Sequence, residues 1–477
     1  MTVLTKEITK KPQCGAAAFA GKQVHMVGIG GAGMCGLAEL LSRHGAMVSG
    51  SDCLSSGATE RLKSLGIPIA IGHRAQHVPV EATTLVMSAA IKPDNPEVLE
   101  AKKRGLQVFK YAQMLGACMK GLRTAAVSGT HGKSTTTALI AYILRCAGMD
   151  PTFVEGATAE QLGGSAAVGD SDIFVAEACE YDRSFLNLSP RIGVILNTEE
   201  DHLDCYKDLG QIEEAFHSFA SLVPLEGLLV AKEEDRSVKR ATEGIEAPVA
   251  TFGLSKRSTW QGTNLTSKLG RFNFDVLCQG HRYGSFELRI GGIHNVYNGL
   301  AAMCVCHQLG VQMEQIAAAL RSFSGAQRRL SFKASLSGIT VMDDYAHHPT
   351  EIQVTLKAAR DMVQPKRMWC VFEPHQHSRT RFLLKDFAAS FGSADFVVVP
   401  DIYFVRDSEA ERASISSRDL VNHIQANGGQ AVYLPKFGQI VKYLKSKLEP
   451  GDLVITMGAG RVWEIADEIV HWLGSDS

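Results

Sequence analysis

Apolar residues fall in short runs along this chain, and a stretch with helical spacing follows almost every run. "VHMVGIGGAG" (24–33) reads as a strand entering a glycine turn. "MCGLAELLSRHG" continues with apolar residues three and four apart, and "MVSGSD" returns as a second strand. "PIAIG", "TLVMSAAI", "EVLEAKKRG" and "QVFKYAQML" keep the alternation going to about Lys120. A second series opens at "RTAAVSGTHGKSTTT" (123–137) and runs through "SDIFVAEA", "IGVILN", "EEAFHSFASLV" and "GLLVAK". Between Thr251 and Ile290 the runs shorten and alternate, which predicts an antiparallel insertion or edge sheet, before "HNVYNGLAAMCVCHQLG" resumes as a helix. "SFSGAQRRL" (322–330) reads as a linker. Beyond it "ITVMDDYAHHPTE", "RMWCVFEPH", "DFVVVPD", "QAVYL" and "GDLVITMGAG" form a third strand-and-helix series.

Strands alternating with helices predict open, mainly parallel sheets. The expected fold is α/β in three consecutive domains: residues 1–121 Rossmann-like, 122–326 a P-loop ATPase-like mainly parallel sheet with a small antiparallel part, and 327–477 Rossmann-like again. A length of 477 residues suits two or three domains.

Composition narrows the function classes. Lys plus Arg (49) balances Asp plus Glu (50), so no global field favours nucleic acid or a membrane surface. No apolar run reaches the ~18 residues of a membrane span, and the N-terminus lacks the sustained apolar core of a secretory signal. The eleven cysteines form no C-x-x-C pair, so reduced, buried thiols of a cytoplasmic protein are expected rather than structural zinc or disulfides.

Several stretches carry chemistry. In "GTHGKSTTT", Gly129 and Gly132 allow backbone amides to face inward, and a helix from about Ser134 adds its positive end. Gly129, Thr130 and His131 make the turn; Lys133 supplies a point charge for the β- and γ-phosphates, Ser134 a hydroxyl for Mg²⁺, and Thr135 follows. The plain alternative is a strand-to-helix turn with an exposed lysine, since the usual phosphate loop needs glycine where Val127 stands. Glu177 ends the apolar strand "DIFVAEA", where a carboxylate is rare unless paired or metal-bound, or capping a neighbouring loop. His202 follows the apolar "GVILN"; it is either structural or a neutral-imidazole metal ligand with Asp201 behind it. Asn295 and Asn298, three apart, present one helical face to a purine edge, or Asn295 caps the helix.

The G-x-G-x-x-G of Gly28, Gly30 and Gly33, with Gly31 and Ala32 inside it and Asp52 downstream, is a dinucleotide signature read alone. The physics asks only for a diphosphate at a helix N-terminus, and a UDP-sugar carries one. "DDYAHHP" gathers two carboxylates, a phenol and two imidazoles; a zinc site is the rival there, opposed by the lack of a third ligand at metal-binding spacing. Arg379 offers a fork for a carboxylate, and Arg328 and Arg329 stand in the linker, either solvated or within reach of a γ-phosphate.

"GTHGKSTTT" resembles the shortened phosphate loop, G-T-x-G-K-[ST]-[ST], of the Mur ligases, ATP-dependent amide-forming enzymes of peptidoglycan precursor synthesis. In that pattern Val127 is simply the end of the strand. "VAEACEYDRSF" is similar to the family's acidic metal motif, "NTEEDHLD" to its N-x-x-x-D-H-[ML]-D motif, and "GIHNVYNGLAA" to its adenine-contacting H-N-x-x-N. "DDYAHHPTE", "EPHQHSRTR" and "GIGGAGM" most resemble the branch that adds L-alanine to UDP-N-acetylmuramate.

The resemblance implies an acyl-phosphate route. Mg²⁺ sits on Ser134, Glu177 and His202, and adenine on His294, Asn295 and Asn298. The UDP-sugar takes the front loop with Asp52, His73, Ser88 and Asn95. Tyr345, His348 and Arg379 receive the amino acid, with Lys133, His348 (as amine base) and Arg379 catalytic. It also implies small-molecule substrates, a monomer or weak homodimer, and domain closure. Some positions depart from that branch's usual pattern: Cys179 and Tyr181 in the acidic motif, and Glu373, Gln376 and His377 before Arg379. The lysine that several relatives carbamylate is absent near His217, Lys207 being nearest, as in the L-alanine branch. A murein peptide ligase, an NAD(P)-dependent oxidoreductase and a non-catalytic nucleotide sensor are the alternatives.

Overall fold

The computed structural model describes residues 15–475 apart from Leu203. The N-terminal stretch read above for a targeting signal, with Cys14, lies outside the described residues. Three sheets account for the three series of apolar runs. The first has five parallel strands in the order Ile69–Ile71, Met47–Asp52, Gln23–Val27, Thr84–Met87, Gln107–Lys110. Strand order reverses at Gln23–Val27, which opens a crevice beyond its carboxyl end, where helix Ala32–Arg43 begins.

The second sheet has ten strands. Its parallel heart is Leu228–Lys232, Ile192–Ile195, Arg123–Ser128 and Ile173–Glu177. These strands are buried on both faces, which explains their unbroken apolar runs. The antiparallel part expected between 251 and 290 consists of Trp260–Lys268, Arg271–Cys278 and His281–Leu288. A further antiparallel pair, Thr152–Ala159 with Gly164–Ala167, has no counterpart in the sequence reading. Glycines and a register shift between Val154 and Ala159 blur its alternation.

The third sheet runs Ser331–Leu336, Ile339–Asp344, Asp452–Met457, Arg367–Phe372, Phe396–Val399, Ala431–Tyr433, antiparallel only at its first pair. The expected linker is therefore short, for strand begins at Ser331; Arg328 (φ 56) and Leu330 (φ 50) make the bend.

Helix Lys133–Cys146 lies inside the middle domain, with Leu139, Ile140, Ile143 and Leu144 fully buried against Val296, Leu300 and Phe323 of the same core. Each such side chain stabilises by about 1.5–3 kcal/mol, so the start of this helix is rigidly placed. The first domain seats on the middle one at Gly36, where an added Cβ would fall 2.2 Å from that of Ala166. No disulfide joins the described cysteines. Cys35, Cys118, Cys304, Cys306 and Cys370 are buried as expected, but Cys53, Cys146, Cys179 and Cys205 are exposed. Among the described residues no helix is long and apolar enough to cross a membrane.

Candidate functional site

Strand Arg123–Ser128 ends in the turn 129–132, from which helix Lys133–Cys146 starts. Val127 is buried in that strand opposite Glu177 and Val194, so it takes no part in the turn. Gly129 (φ 140) and Gly132 (φ 83) occupy the region that favours glycine, and a Cβ on Gly132 would meet Asn298 Oδ1 at 2.6 Å. Asn197 clamps the turn from the next strand: its Oδ1 accepts from the His131 N–H (2.7 Å) and its Nδ2 donates to the His131 carbonyl (3.0 Å). Thr130, Ser134 and Thr135 are buried along the turn and first helical residues.

Two carboxylates, Glu180 and Glu177, lie beside Lys133, and a third, Glu155, neighbours Glu177. The Lys133 ammonium donates to the carbonyls of Gly129 (2.6 Å) and Thr130 (3.0 Å) and to Glu180 Oε1 (2.9 Å). Burial opposes charge on Lys133, but Glu180 outweighs it and raises the pKa. Glu180, buried likewise, is held below the usual range by Lys133 and His202, and its Oε2 has no partner. Glu177, at its strand end, accepts from the Gly156 N–H (2.7 Å). Glu155 is 1% exposed with neither oxygen partnered, and burial plus the neighbouring Glu177 pushes it up to about 9. His202 Nε2 lies 3.4 Å from Glu180 Oε1, and its backbone is left-handed (φ 54). The orphaned oxygens of buried Glu155 and Glu180 are hard donors of the kind that suit Mg²⁺. Glu155 and Glu180 were not singled out in the sequence, although the argument used for Glu177 applies equally to "TFVEG".

A cavity of about 920 Å³ opens between the middle and C-terminal domains, lined by Gly132, His294, Asn298, Arg329, Phe332 and Trp463 among others. Helix Ile293–Gln308 is capped by Gly292, so Asn295 is not its cap. Instead Asn295 Nδ2 donates to the Gly291 carbonyl (2.7 Å) and its Oδ1 accepts from Asn298 (3.0 Å). Burial lowers His294 to about 4, leaving it neutral, and its Nδ1 is unpartnered. The two linker arginines part company. Arg329 reaches Ser134 Oγ (3.3 Å), whereas Arg328 is spent inside the C-terminal domain on Asp343 (3.0 Å) and the Gly460 carbonyl (3.1 Å). Both line the interdomain cavity, and neither is solvated free of partners. Both guanidinium groups lie over the Tyr345 ring, each 5.1 Å from its centre.

His348 and Arg379 are both engaged by the middle domain. His348 Nε2 meets the Glu200 carbonyl (3.1 Å) and its ring lies 4.7 Å from that of His131, facing the phosphate turn. It does not line the tight crevice, about 10 Å³, formed by Asp201, His202, Gln376, Ser378 and Arg379 among others. Arg379 is engaged by Asp201 through Nε (3.0 Å) and a terminal nitrogen (2.7 Å), a buried pair joining the two domains. Tyr181, one of the departures, donates to Asp204 (3.1 Å), packs its ring 5.1 Å from that of His202 and lies under Arg406.

In the first domain Gly28 (φ 77) turns the chain after its strand, and Gly33 abuts Tyr111, where a Cβ would sit 2.5 Å from the hydroxyl. Gly31 caps helix Ala32–Arg43. Asp52 Oδ2 accepts from the Gly30 N–H (2.8 Å), so the carboxylate a dinucleotide would need on its ribose is committed to holding the loop. Ser88 adjoins Gly28. Asn95 accepts from the Glu97 N–H (2.9 Å) as a helix cap, and His73 is bonded to buried Glu97 (3.0 Å) and to Ser51 (3.1 Å). Both are thus taken up by structural contacts.

Three family models match in succession: Mur ligase family, catalytic domain (residues 23–123), Mur ligase middle domain (127–306) and Mur ligase, glutamate ligase domain (328–460). The chain belongs to the Mur ligase family. This Mur ligase is 43% identical over 452 residues to the UDP-N-acetylmuramate–L-alanine ligase of Caldanaerobacter subterraneus, covering 94% of this chain and 97% of that one. The enzyme of the same name from Salinibacter ruber is 39% identical over 95% of this chain and 96% of its own. Among solved structures, the UDP-N-acetylmuramate–alanine ligase of Thermotoga maritima superimposes with a TM-score of 0.79 at 27% identity, covering 95% of this chain and 100% of that one. A murein peptide ligase from Psychrobacter arcticus gives 0.71 at 26% identity, covering 95% and 99%.

Proposed function

We propose that this Mur ligase joins L-alanine to the lactyl carboxylate of UDP-N-acetylmuramate with conversion of ATP to ADP and phosphate. The observation that carries the reading is the short turn 129–132, which opens into the interdomain cavity with Lys133, Glu180 and Glu177 beside it. The relatives of that name, alike over nearly the whole chain, supply the substrate identities.

A carboxylate is a poor electrophile, so its oxygen first takes the γ-phosphoryl group and ADP departs. The turn amides and Lys133 hold the phosphates in line, with the ammonium exchanging Glu180 for phosphate oxygens. Ser134, Glu177 and His202 would hold Mg²⁺, which when bound neutralises charge on the transferring group. Arg329, already at Ser134, adds a second cation from the C-terminal domain, so domain closure completes the site. Neutral His294, with Asn295 and Asn298, offers a polar edge for adenine. The neutral amine of alanine then attacks the acyl carbon, a C–N bond forms as the C–O bond to phosphate breaks, and the nitrogen's surplus proton leaves with the phosphate or to solvent. Arg379 receives the alanine carboxylate by exchanging it for Asp201.

The crevice beside Arg379 is tight, and a single small amino acid demands less opening than a recycled peptide. Phosphate release should be measured with UDP-N-acetylmuramate and ATP against alanine, glycine, serine and a murein tripeptide. Alanine is expected to give the highest kcat/KM. A preference for the tripeptide would move the chain to the murein peptide ligases, and no amine-dependent release would end the reading.

A further inference from the structure

The sequence placed two adjacent histidines at 347 and 348 but found no partners for a metal. Folding supplies them from another domain. His131 Nε2 lies 3.2 Å from Glu199 Oε2, His348 Nδ1 lies 3.7 Å from the same oxygen, and the three ligand atoms all fall within 4.8 Å of one another. Zinc–ligand bonds of about 2.0–2.2 Å at tetrahedral angles put donor atoms roughly 3.3–3.5 Å apart, so two of the separations already suit an ion.

We propose that His131, Glu199 and His348 form a transition-metal site, for an ion of the Zn²⁺ class, that clasps the middle domain to the C-terminal domain. The outer contacts are those a metal-binding imidazole needs. His131 Nδ1 is 3.1 Å from Glu351 Oε1, and His348 Nε2 is 3.1 Å from the Glu200 carbonyl. Each far nitrogen thus has an acceptor for its proton, so the near nitrogen can offer a lone pair to an ion once its own proton is displaced. At His348 the long contact from the Thr350 N–H to Nδ1 (3.4 Å) agrees with that tautomer and is the contact an ion would displace. Thr350 Oγ1 donates to Glu199 Oε2 (2.6 Å) and fixes the carboxylate.

Two imidazoles favour zinc, cobalt or nickel over magnesium, which separates this site from the oxygen-rich cluster of Glu155 and Glu177. With three protein donors, water completes the shell on the cavity side, where His131 and Glu199 both line the wall. Without metal, burial works against charge on His131, but Glu199 and Glu351 raise its pKa to about 9, so a proton stands where the ion binds and is released on binding.

His131 and Glu199 belong to the middle domain; His348, Thr350 and Glu351 belong to the start of helix Pro349–Val363. An ion here bridges the seam that must open to release product, so occupancy slows turnover by holding the domains closed.

The test uses the full chain in excess Mg²⁺. Zn²⁺ is titrated against a chromophoric chelator, and X-ray absorption is recorded at the zinc edge of the one-equivalent complex. The expectation is one ion per chain with a shell of two imidazoles completed by oxygen, bound at least ten-fold more weakly by Glu199→Gln and by His348→Gln, and a kcat that falls as Zn²⁺ saturates the native chain. Absence of a one-equivalent ion overturns the proposal, as does sulfur in the shell, which would place the ion on exposed cysteines. Undiminished binding by both variants also overturns it. Should a variant fail to melt cooperatively, the absorption spectrum of the native chain decides alone.

Discussion

Replacing Lys133 by methionine tests two roles of one side chain at once. In the unliganded protein its ammonium makes three hydrogen bonds and closes an ion pair with Glu180 in which the side chains are 13% and 4% exposed. Removing one partner of a buried pair costs about 3–5 kcal/mol, because the other charge is left without compensation. His202, 3.4 Å from Glu180 Oε1, offsets part of that loss, so the lower end, about 3 kcal/mol, is expected. For a domain of roughly 200 residues that corresponds to a fall in melting temperature of about 6–12 °C. Lys133→Met is therefore not silent in the fold, contrary to the picture of an exposed phosphate-binding lysine. The double variant Lys133→Met, Glu180→Gln removes both charges and should recover most of the lost stability. Its activity should stay down by at least the ~10²–10³-fold in kcat typical of losing one preorganised donor to a transition state. Calorimetry of the unliganded chains and phosphate release under saturating substrates read the two effects separately. A single variant melting within about 2 °C of the native chain would refute the buried-pair reasoning. So would a double variant no more stable than the single one.

Other outcomes follow from the same contacts. Arg328→Ala should destabilise the C-terminal domain by a few kcal/mol, since Asp343 and the Gly460 carbonyl lose their donor, while Arg329→Ala should leave melting nearly unchanged and raise the KM for ATP; a reversed pattern in melting and kinetics would exchange the two assignments. His131, whose pKa rises from 6.5 to about 9 on folding, contributes stability that is complete below pH ~6.5 and lost as pH climbs through about 9. The melting temperature of the native chain should thus fall more steeply across that window than that of His131→Gln; parallel profiles would contradict it. Gly132→Ala places a methyl 2.6 Å from Asn298 Oδ1 at φ 83, so nucleotide affinity and stability should both drop, with partial recovery on adding Asn298→Ala; an unchanged affinity for an ATP analogue would show that the turn relaxes freely.

Local signals made much of this protein legible as a string. Alternating apolar runs and helical stretches determined the three α/β units, because pleat and helix periods are set by nearest neighbours. The turn of Gly129 to Ser134 was equally readable, since strand, glycines and helix start are contiguous. Edge hairpins such as Thr152–Ala159 with Gly164–Ala167 escaped, as pairing there depends on a long-range register that the alternation does not encode.

Partnership was decided by the tertiary structure alone. Nothing in the order of residues tells Arg328 from Arg329, yet one is consumed by Asp343 and the other reaches Ser134 across the domain boundary. Nor does spacing bring His348 to His131 and Glu199, which are 217 and 149 positions away. Charge and metal chemistry act through distances of a few ångströms, while sequence fixes only separation along the chain. Folding converts one into the other, and that conversion chose which titratable groups meet.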